Sequence, residues 1–305
     1  MSFSITTAFV QQFTGNVRFL AQQQESRLAG AVMTDDIAGE TAYMEQLAPT
    51  AARKVTTRHA DSPLMNSQHL RRRITAYDYD WGDLIDKEDK ARLLIDPASS
   101  YAMNAGFAMA RSKDDEIIGC LWGNAYTGHS GNTVVAWPNG DNESSPAQPG
   151  GYVVAVNSWA FGNGSANAGL TVSKLIEAKV ALGKAEGDEN EERFIACSDQ
   201  QIGNLLSTTE VTSADYNSVK ALVEGKVDSF MGFTFIHTER NQVDANGYAR
   251  VPAWRKSAIG LGTTIPLWTR VTERGDKRFS IYVFASQSIG ATRLEEAKMV
   301  EIKCA

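Results

Sequence analysis

The segment between Thr41 and Asp83 constrains the fold most, because it is long and shows little alternation of apolar and polar residues. Residues 41–58 and 70–81 are rich in Thr, Val, Ile and Tyr, which favour strands. The Asp61-Ser62-Pro63 sequence between them favours a turn. The pattern predicts a long hairpin that buries little against its own domain. We therefore expect it to reach out from the subunit.

The two arms of this hairpin are cationic, and an acidic stretch follows them directly. The cations are Arg53, Lys54, Arg58 and the run Arg71, Arg72, Arg73, and the acids are Asp78, Asp80, Asp83, Asp86, Glu88 and Asp89. One thin hairpin offers few partners, so we expect Arg58 and the three consecutive arginines to contact a second copy of the chain. Apolar residues at the tip, Pro63, Leu64 and Met65, would join that contact. The alternative is a solvated charged ribbon, which most charge runs are.

An amphipathic helix is predicted near the N-terminus. Phe9, Phe13, Val17 and Leu20 recur at helical spacing in a Gln-rich background. So few apolar positions cannot form a core alone. The stripe is expected to pack against a neighbouring copy, and the alternative is packing on the core of its own subunit.

A long helix is predicted to begin at Asp96-Pro97. Asp is a favoured N-cap and Pro a favoured first helical residue. The Ala- and Met-rich sequence from Pro97 to about Cys120 contains no further proline. At 1.5 Å per residue it is about 35 Å long.

The rest of the chain mixes short elements. Residues 123–151 predict surface loops with a short hairpin through Val134, Val135 and Trp137. Strands are predicted at 152–159, 193–197 and 230–236, and helices at 171–184, 199–206 and 213–222. The helix at 171–184 should bury Val172, Leu175, Ile176 and Leu182. Alternating runs fill 253–303, with a turn at Arg274-Gly275. The fold class is therefore α+β.

Charge and cysteine content exclude several classes of protein. The net charge is −6, which argues against a protein that neutralises nucleic-acid phosphates. Cys120, Cys197 and Cys304 are far apart and odd in number, so reduced structural thiols are expected rather than disulfides or a zinc site. No signal-peptide pattern or membrane-length apolar stretch is present, which predicts a protein made and kept in a cytoplasm-like compartment.

Catalytic and cofactor motifs are absent from the sequence. His59, His69, His129 and His237 have no Cys, Asp or His partner at metal-ligand spacing, and no GxSxG, HExxH or Walker sequence occurs. Gly162-Asn163-Gly164 mimics a dinucleotide fingerprint, but its third glycine position is Asn167. We therefore expect no catalytic, cofactor-binding or metal-binding residues, and interpret the glycines as a turn into a helix.

Several segments resemble a family of tailed-bacteriophage capsid proteins. They are residues 56–74, 94–119, 213–239 and 253–262, of which the run SADYN...VKAL...G.....F.GF.FI is the most specific. The order of elements also resembles the Hong Kong-97-type capsid fold. The resemblance implies an N-terminal arm (1–40), an extended E-loop hairpin with entry to the P-domain (41–90), a spine helix (91–122), a mainly A-domain region (123–252) and C-terminal strands returning to the P-domain (253–305).

The resemblance implies a major capsid protein and not an enzyme. It would form hexamers and pentamers of an icosahedral head that encloses double-stranded DNA without reading its sequence. About 40 residues precede the hairpin, too few for a fused scaffolding domain, so a separate scaffolding protein is expected. A portal protein is a further expected partner, a decoration protein is left open, and assembly is placed in the bacterial host cytoplasm. Two alternatives stay open: an encapsulin-like compartment shell and, more remotely, a nucleotide-dependent enzyme.

Overall fold

The computed structural model describes residues 22–58, 61–62, 64–86, 98–137, 152–159, 162–163, 166–184, 189–207 and 229–305. Within these ranges the chain forms three α-helices and sixteen β-strands in mixed order, which confirms the α+β class. The helices are α1 (Ala98–Trp122), α2 (Val172–Lys184) and α3 (Asp199–Leu206). No described helix is both long and apolar enough to cross a membrane.

The sixteen strands form three larger sheets and one small ribbon. In chain order they are β1 (Met33–Asp36), β2 (Thr41–Leu47), β3 (His69–Thr75), β4 (Tyr77–Ile85), β5 (Ala125–Thr127), β6 (Thr133–Val135), β7 (Val153–Val154), β8 (Ser158–Trp159), β9 (Gly162–Asn163), β10 (Arg193–Cys197), β11 (Ser229–Phe230), β12 (Phe233–His237), β13 (Ala249–Arg255), β14 (Ile259–Arg274), β15 (Ser280–Arg293) and β16 (Met299–Cys304). The sheets have the orders β11-β12-β10-β13-β16-β7, β2-β3-β5-β6 and β1-β14-β15-β4, and β8 pairs with β9.

The chain divides into two compact units, each built from separated stretches. The first contains Met1–Ser26, Asp78–Ser112 and Ile265–Ser288, and the second contains Arg27–Tyr77, Lys113–Thr264 and Ile289–Ala305. The five named segments that the resemblance implied, from the N-terminal arm to the C-terminal strands, stay a prediction. They are consecutive along the chain, whereas each of the two compact units collects stretches that are distant in sequence.

The first unit has a small core of its own. Ala105 and Met109 of α1 pack with Ala285 of β15, and Tyr79 and Trp81 of β4 cover them. The buried Gln287 amide donates to the Met109 carbonyl and to the Ser112 hydroxyl, both at 2.9 Å. A buried amide that finds two acceptors in this way costs little to bury.

The six-stranded sheet supplies the main core of the second unit. β10 runs parallel to β12 and antiparallel to β13, and four of its five residues are buried. Leu175, Ala178 and Leu182 of α2 pack against this sheet. A second cluster joins Ile117, Ile118 and Leu121 of α1 to Trp254 and Met299.

The long helix is confirmed, with 25 residues and therefore a length of about 37 Å. Within the second unit, the buried Arg293 guanidinium closes its C-terminal end. It donates to the carbonyls of Cys120 (3.0 Å) and Leu121 (2.9 Å), and to that of Gly123. Unpaired carbonyls at a helix C-terminus attract a cation. Burial lowers the pKa of Arg293, while the nearby Glu296 carboxylate opposes that change.

Other predicted elements met different outcomes. The strand at 193–197, the helices at 171–184 and 199–206 and the hairpin through Val134 are confirmed. The single strand predicted at 152–159 is wrong, since β7 and β8 are separated by a turn. The strand at 230–236 is broken at Met231 and Gly232, which both have positive φ. Ile176 was predicted to be buried and is 37% exposed. The helix predicted at 213–222 and the stripe of Phe9, Phe13, Val17 and Leu20 lie outside the described residues.

Candidate functional site

The predicted hairpin exists at its base, but its strands are shorter than expected. β2 and β3 pair antiparallel from Thr41↔Thr75 to Leu47↔His69. The described part of residues 48–68 contains no strand, and β3 begins only at His69. β3 also pairs with β5, and β5 with β6. The hairpin is therefore two strands of a four-stranded sheet that continues into a long irregular loop.

The alternation of side chains along β3 separates the three consecutive arginines. Successive strand residues point to opposite faces of a sheet. Arg72 is buried together with Ile74, whereas Arg71 and Arg73 lie on the other face and keep part of their surface exposed. The sheet therefore has a covered face that carries Arg72 and an open face that carries Arg71 and Arg73.

Arg72 binds within its own subunit. Its Nε donates to the Leu294 carbonyl at 3.0 Å, and its NH2 group donates to Glu296 at 2.6 Å. The side chains of this ion pair are only 11% and 14% exposed. The expectation that all three arginines face a neighbouring copy is therefore corrected for Arg72, because its guanidinium is enclosed by the segment that follows β15.

The open face carries a row of paired residues across all four strands. Tyr43 lies opposite Arg73, Arg73 opposite Tyr126, and Tyr126 opposite Val134. The Arg73 guanidinium lies 4.4 Å from the Tyr126 ring centre, and that of Arg71 lies 5.3 Å from the Tyr43 ring centre. Cation–π contacts of this kind hold both guanidinium groups close to the aromatic rings. We call these five residues the Tyr–Arg face.

Two side chains close to the Tyr–Arg face satisfy only part of its charge. Glu45 lies 3.2 Å from Arg71, with 65% of its own side chain exposed. Asn132 accepts from Arg73 at 3.4 Å. Arg71 also donates to the His129 carbonyl at 3.4 Å, so the turn between β5 and β6 lies over part of this face. Tyr43 and Val134 remain 39% and 52% exposed. Aromatic residues and arginine are the types enriched at protein–protein contacts.

The loop that leaves this sheet presents apolar side chains to solvent. Leu64 is 94% exposed and Met65 is 43% exposed. Leu47, Val55 and Leu70 at its sides are also exposed, as is Arg58. Pro63 lies outside the described residues. Exposed apolar groups concentrated on one projecting loop are typical of a segment that is covered by a partner.

A cluster of histidine and carboxylates lies elsewhere in the second unit, and the sequence analysis missed it. His237 Nε2 is 2.8 Å from Asp199 and 3.3 Å from Glu239. Glu239 follows His237 by two residues, the one local signal, but Asp199 is distant in sequence. Arg27 donates to His237 Nδ1 at 2.7 Å. A guanidinium cannot accept a hydrogen bond, so Nδ1 holds the lone pair and Nε2 holds the proton. The imidazole therefore offers no lone pair to a cation between the carboxylates.

The first glycine singled out in the sequence belongs to a strand, and the cysteines are free thiols. Gly162 and Asn163 form β9, which is a strand rather than the turn into a helix that was expected, and Gly164 lies outside the described residues.

All three cysteines are free thiols. Burial raises the pKa of Cys197 well above its usual value. Burial also raises that of Cys304, to about 11, against the opposing effect of Lys174. Neutral buried thiols are unreactive.

Comparison with known proteins gives a family match and a shared fold. A family model described as phage capsid protein matches residues 5–305. No curated protein matches the sequence.

Several solved capsid structures share the fold of this chain. The capsid of cyanophage P-SCSP1u is 17% identical, has a TM-score of 0.72 and is matched over 98% of this chain and 93% of its own. The capsid of cyanophage Pam1 is 14% identical, with a TM-score of 0.67 and coverage of 100% and 98%. The capsid of Ralstonia phage GP4 is 11% identical, with a TM-score of 0.67 and coverage of 100% and 97%. These likenesses confirm the capsid fold that the resemblance implied.

Proposed function

The chain belongs to the phage capsid protein family, and on this premise we propose that it is the major capsid subunit of a tailed bacteriophage. It assembles with copies of itself into the hexamers and pentamers of an icosahedral head. Its work is structural and not catalytic. The family match favours this function over an encapsulin-like compartment or a nucleotide-dependent enzyme.

We also propose what the shell encloses, which proteins help to assemble it and where assembly takes place. The head encloses double-stranded DNA without binding a particular sequence, and a net charge of −6 suits a wall that does not hold the duplex down. Assembly takes place in the bacterial host cytoplasm with a separate scaffolding protein and a portal protein. A decoration protein is left open. The finished protein resides in the capsid shell of the virion.

The observation that carries the proposal is the Tyr–Arg face together with the loop that projects from it. Both keep part of their surface exposed in the isolated subunit. The loop offers Leu64 and Met65, and the sheet offers Arg71 and Arg73 already fixed on aromatic rings. Side chains fixed before contact lose less entropy on binding. These residues replace the full arginine run as the proposed contact with neighbouring copies, alongside Arg58 and the N-terminal stripe of Phe9, Phe13, Val17 and Leu20.

The acidic edge of a second copy is the partner that fits the Tyr–Arg face. Asp78, Asp80 and Asp83 of β4 are all exposed. One exposed ion pair contributes only about 0–1 kcal/mol. Such pairs nevertheless speed association and set the register of docking. Repeated in every subunit and joined by apolar contacts of the loop, they would determine how copies align.

Neutralising the open face while sparing the covered one tests this proposal. The double variant Arg71→Gln with Arg73→Gln should keep the circular dichroism spectrum and melting temperature of the wild type, because neither residue lies in the core. Its assembly into shells, followed by light scattering and electron microscopy, should be slowed roughly tenfold at low ionic strength. The deficit should shrink near 1 M salt, where the screening length is only about 3 Å.

The matched control is Arg72→Gln, which changes the same strand but the opposite face. It removes the 2.6 Å partner of Glu296 and leaves this carboxylate, among the described residues, only Arg293 at 3.7 Å. The variant should therefore lower the melting temperature of the unassembled subunit. Normal assembly of the double variant at low salt would overturn the role of the Tyr–Arg face. Failure of the wild-type chain to form closed shells with its scaffolding protein would overturn the capsid function itself.

A further inference from the structure

His237 occupies a place where its protonation must change what it binds. It stands at the end of β12 between one cation and two carboxylates. Arg27 faces it from the segment before β1, Asp199 from the start of α3, and Glu239 from the chain that follows β12. The next charged groups outward are Arg240 and Asp115, which pair with each other, and Asp114.

One of the two hydrogen bonds from Arg27 to His237 exists only while the imidazole is neutral. Arg27 NH1 donates to Nδ1 and to the His237 carbonyl, both at 2.7 Å. A proton on Nδ1 removes the lone pair that receives the first of these bonds and places two cations side by side. The bond from Nε2 to Asp199 becomes stronger at the same time, because its donor is then charged. Protonation therefore retains the ring on the carboxylates and leaves the guanidinium only its bond to the His237 carbonyl.

Arg27 is also where the second unit begins along the chain. Ser26 ends the first stretch of one unit, and Arg27 begins the other. The backbone of this point is held by Asp114, which accepts from the amides of Arg27 at 3.0 Å and Leu28 at 3.2 Å. Leu28 itself is fully buried. Two attachments thus meet at one residue: a carboxylate that holds its backbone and a histidine that holds its side chain.

We infer that His237 is a proton-operated latch on Arg27 that controls how firmly the backbone of Arg27 and Leu28 is held on Asp114. While the ring is neutral, the guanidinium is held by both bonds and the backbone of Arg27 and Leu28 stays on Asp114. When the ring carries a second proton, the guanidinium keeps one bond beside a cation, and this backbone opens more often. Histidine is the side chain whose charge normally changes in the physiological pH range. The inference does not depend on the proposed shell function.

Amide exchange of the full chain tests the latch directly. The amides of Arg27 and Leu28 exchange only when their bonds to Asp114 open. Proton exchange should be followed on either side of the His237 titration, which ring-proton NMR locates, and corrected for the intrinsic pH dependence of exchange. In the wild type, the corrected rate of both amides should rise roughly tenfold once the ring is protonated, as expected for the loss of one side-chain hydrogen bond.

Two variants separate the latch from its surroundings. His237→Gln keeps an acceptor for Arg27 and a donor for Asp199 but cannot become charged, so its corrected rates should be equal at both pH values. Arg27→Gln lacks the guanidinium, so its Leu28 amide should exchange at the faster rate throughout. The inference is overturned if the ring does not protonate above pH 5, if the wild-type rates do not change, or if His237→Gln shows the same acceleration through its remaining carboxylates.

Discussion

Glu301 shows, at the scale of one residue, how this subunit tolerates charge inside its core. The residue is 1% exposed. Arg250 donates to its two oxygens at 2.7 and 2.9 Å, and the Trp137 indole donates at 2.7 Å. Burying a carboxylate is costly unless its lone pairs are satisfied. Arg250 also lies over the ring of Trp122, the last residue of α1, so a single ion pair connects β13 and β16 with Trp122 and Trp137.

Removing the charge of Glu301 should therefore weaken the subunit far more than removing an exposed partner. We expect Glu301→Gln to lower the free energy of unfolding by about 2–3 kcal/mol, because it leaves Arg250 partly buried without its counter-charge. Urea unfolding followed by tryptophan fluorescence measures this change.

The matched control for this change is Glu45→Gln, which breaks the exposed pair with Arg71. It should change the unfolding free energy by no more than about 1 kcal/mol. Equal effects of the two variants would show that burial does not govern the strength of these pairs.

Close packing between elements depends on where glycines stand. A Cβ added to Gly290 in β15 would lie 2.0 Å from the Thr75 carbonyl oxygen at the end of β3. Backbone on both sides leaves no flexible group to move aside, so the two strands approach closely only because position 290 has no side chain. A Cβ added to Gly106 in the middle of α1 would meet nothing within 4 Å.

Substituting alanine at these two glycines should have opposite effects. Gly290→Ala should destabilise the chain by about 2–3 kcal/mol, because β15 and the end of β3 must move apart to make room for the methyl group. Gly106→Ala should stabilise it by about 0.5–1 kcal/mol, because glycine loses more backbone entropy in a helix than alanine does. Thermal unfolding measures both. A neutral Gly290→Ala variant would mean that β15 and the end of β3 are not in close contact.

The projecting loop is best understood at the scale of the whole molecule, because it contributes little to the fold that carries it. β2 and β3 are held by their own pairing and by β5, and the Ala48 amide still bonds to the Gln68 carbonyl at 2.9 Å beyond the strands. The loop beyond this bond exposes apolar side chains instead of burying them. We therefore expect its use to lie outside the isolated subunit.

Replacing residues 50–66 by a short Gly-Ser linker should leave a folded subunit that does not form shells. A change of loop length alters stability by only about 1 kcal/mol, so circular dichroism and the melting temperature should change little. Size-exclusion chromatography and electron microscopy should show subunits or small oligomers in place of shells.

A second variant, Leu64→Ser with Met65→Ser, keeps the loop length and removes only the apolar tip. If it also fails to assemble, the tip makes the contact, and if it assembles normally, the reach of the loop matters more. Shells formed by the Gly-Ser variant itself would refute a role for the loop in assembly.

The sequence alone determined the features that depend on near neighbours in the chain. The helix after Pro97, the helix α3, the strand β10 and the turn after Arg274 follow from capping, periodicity and turn residues. Each of these elements depends on contacts between residues a few positions apart, so the local sequence is enough to predict it. The hairpin at Thr41 was foreseen for the same reason.

Only the tertiary structure decided which face of each element is covered. The period of two along β3 was visible in the sequence, but the residues that enclose Arg72 come from positions 294 and 296. Arg27 and His237 are 210 positions apart and still share a hydrogen bond. Gly290 and Thr75 likewise meet across most of the chain. Contacts between distant segments arise when whole elements bury their apolar faces together, and no local pattern records which segments meet.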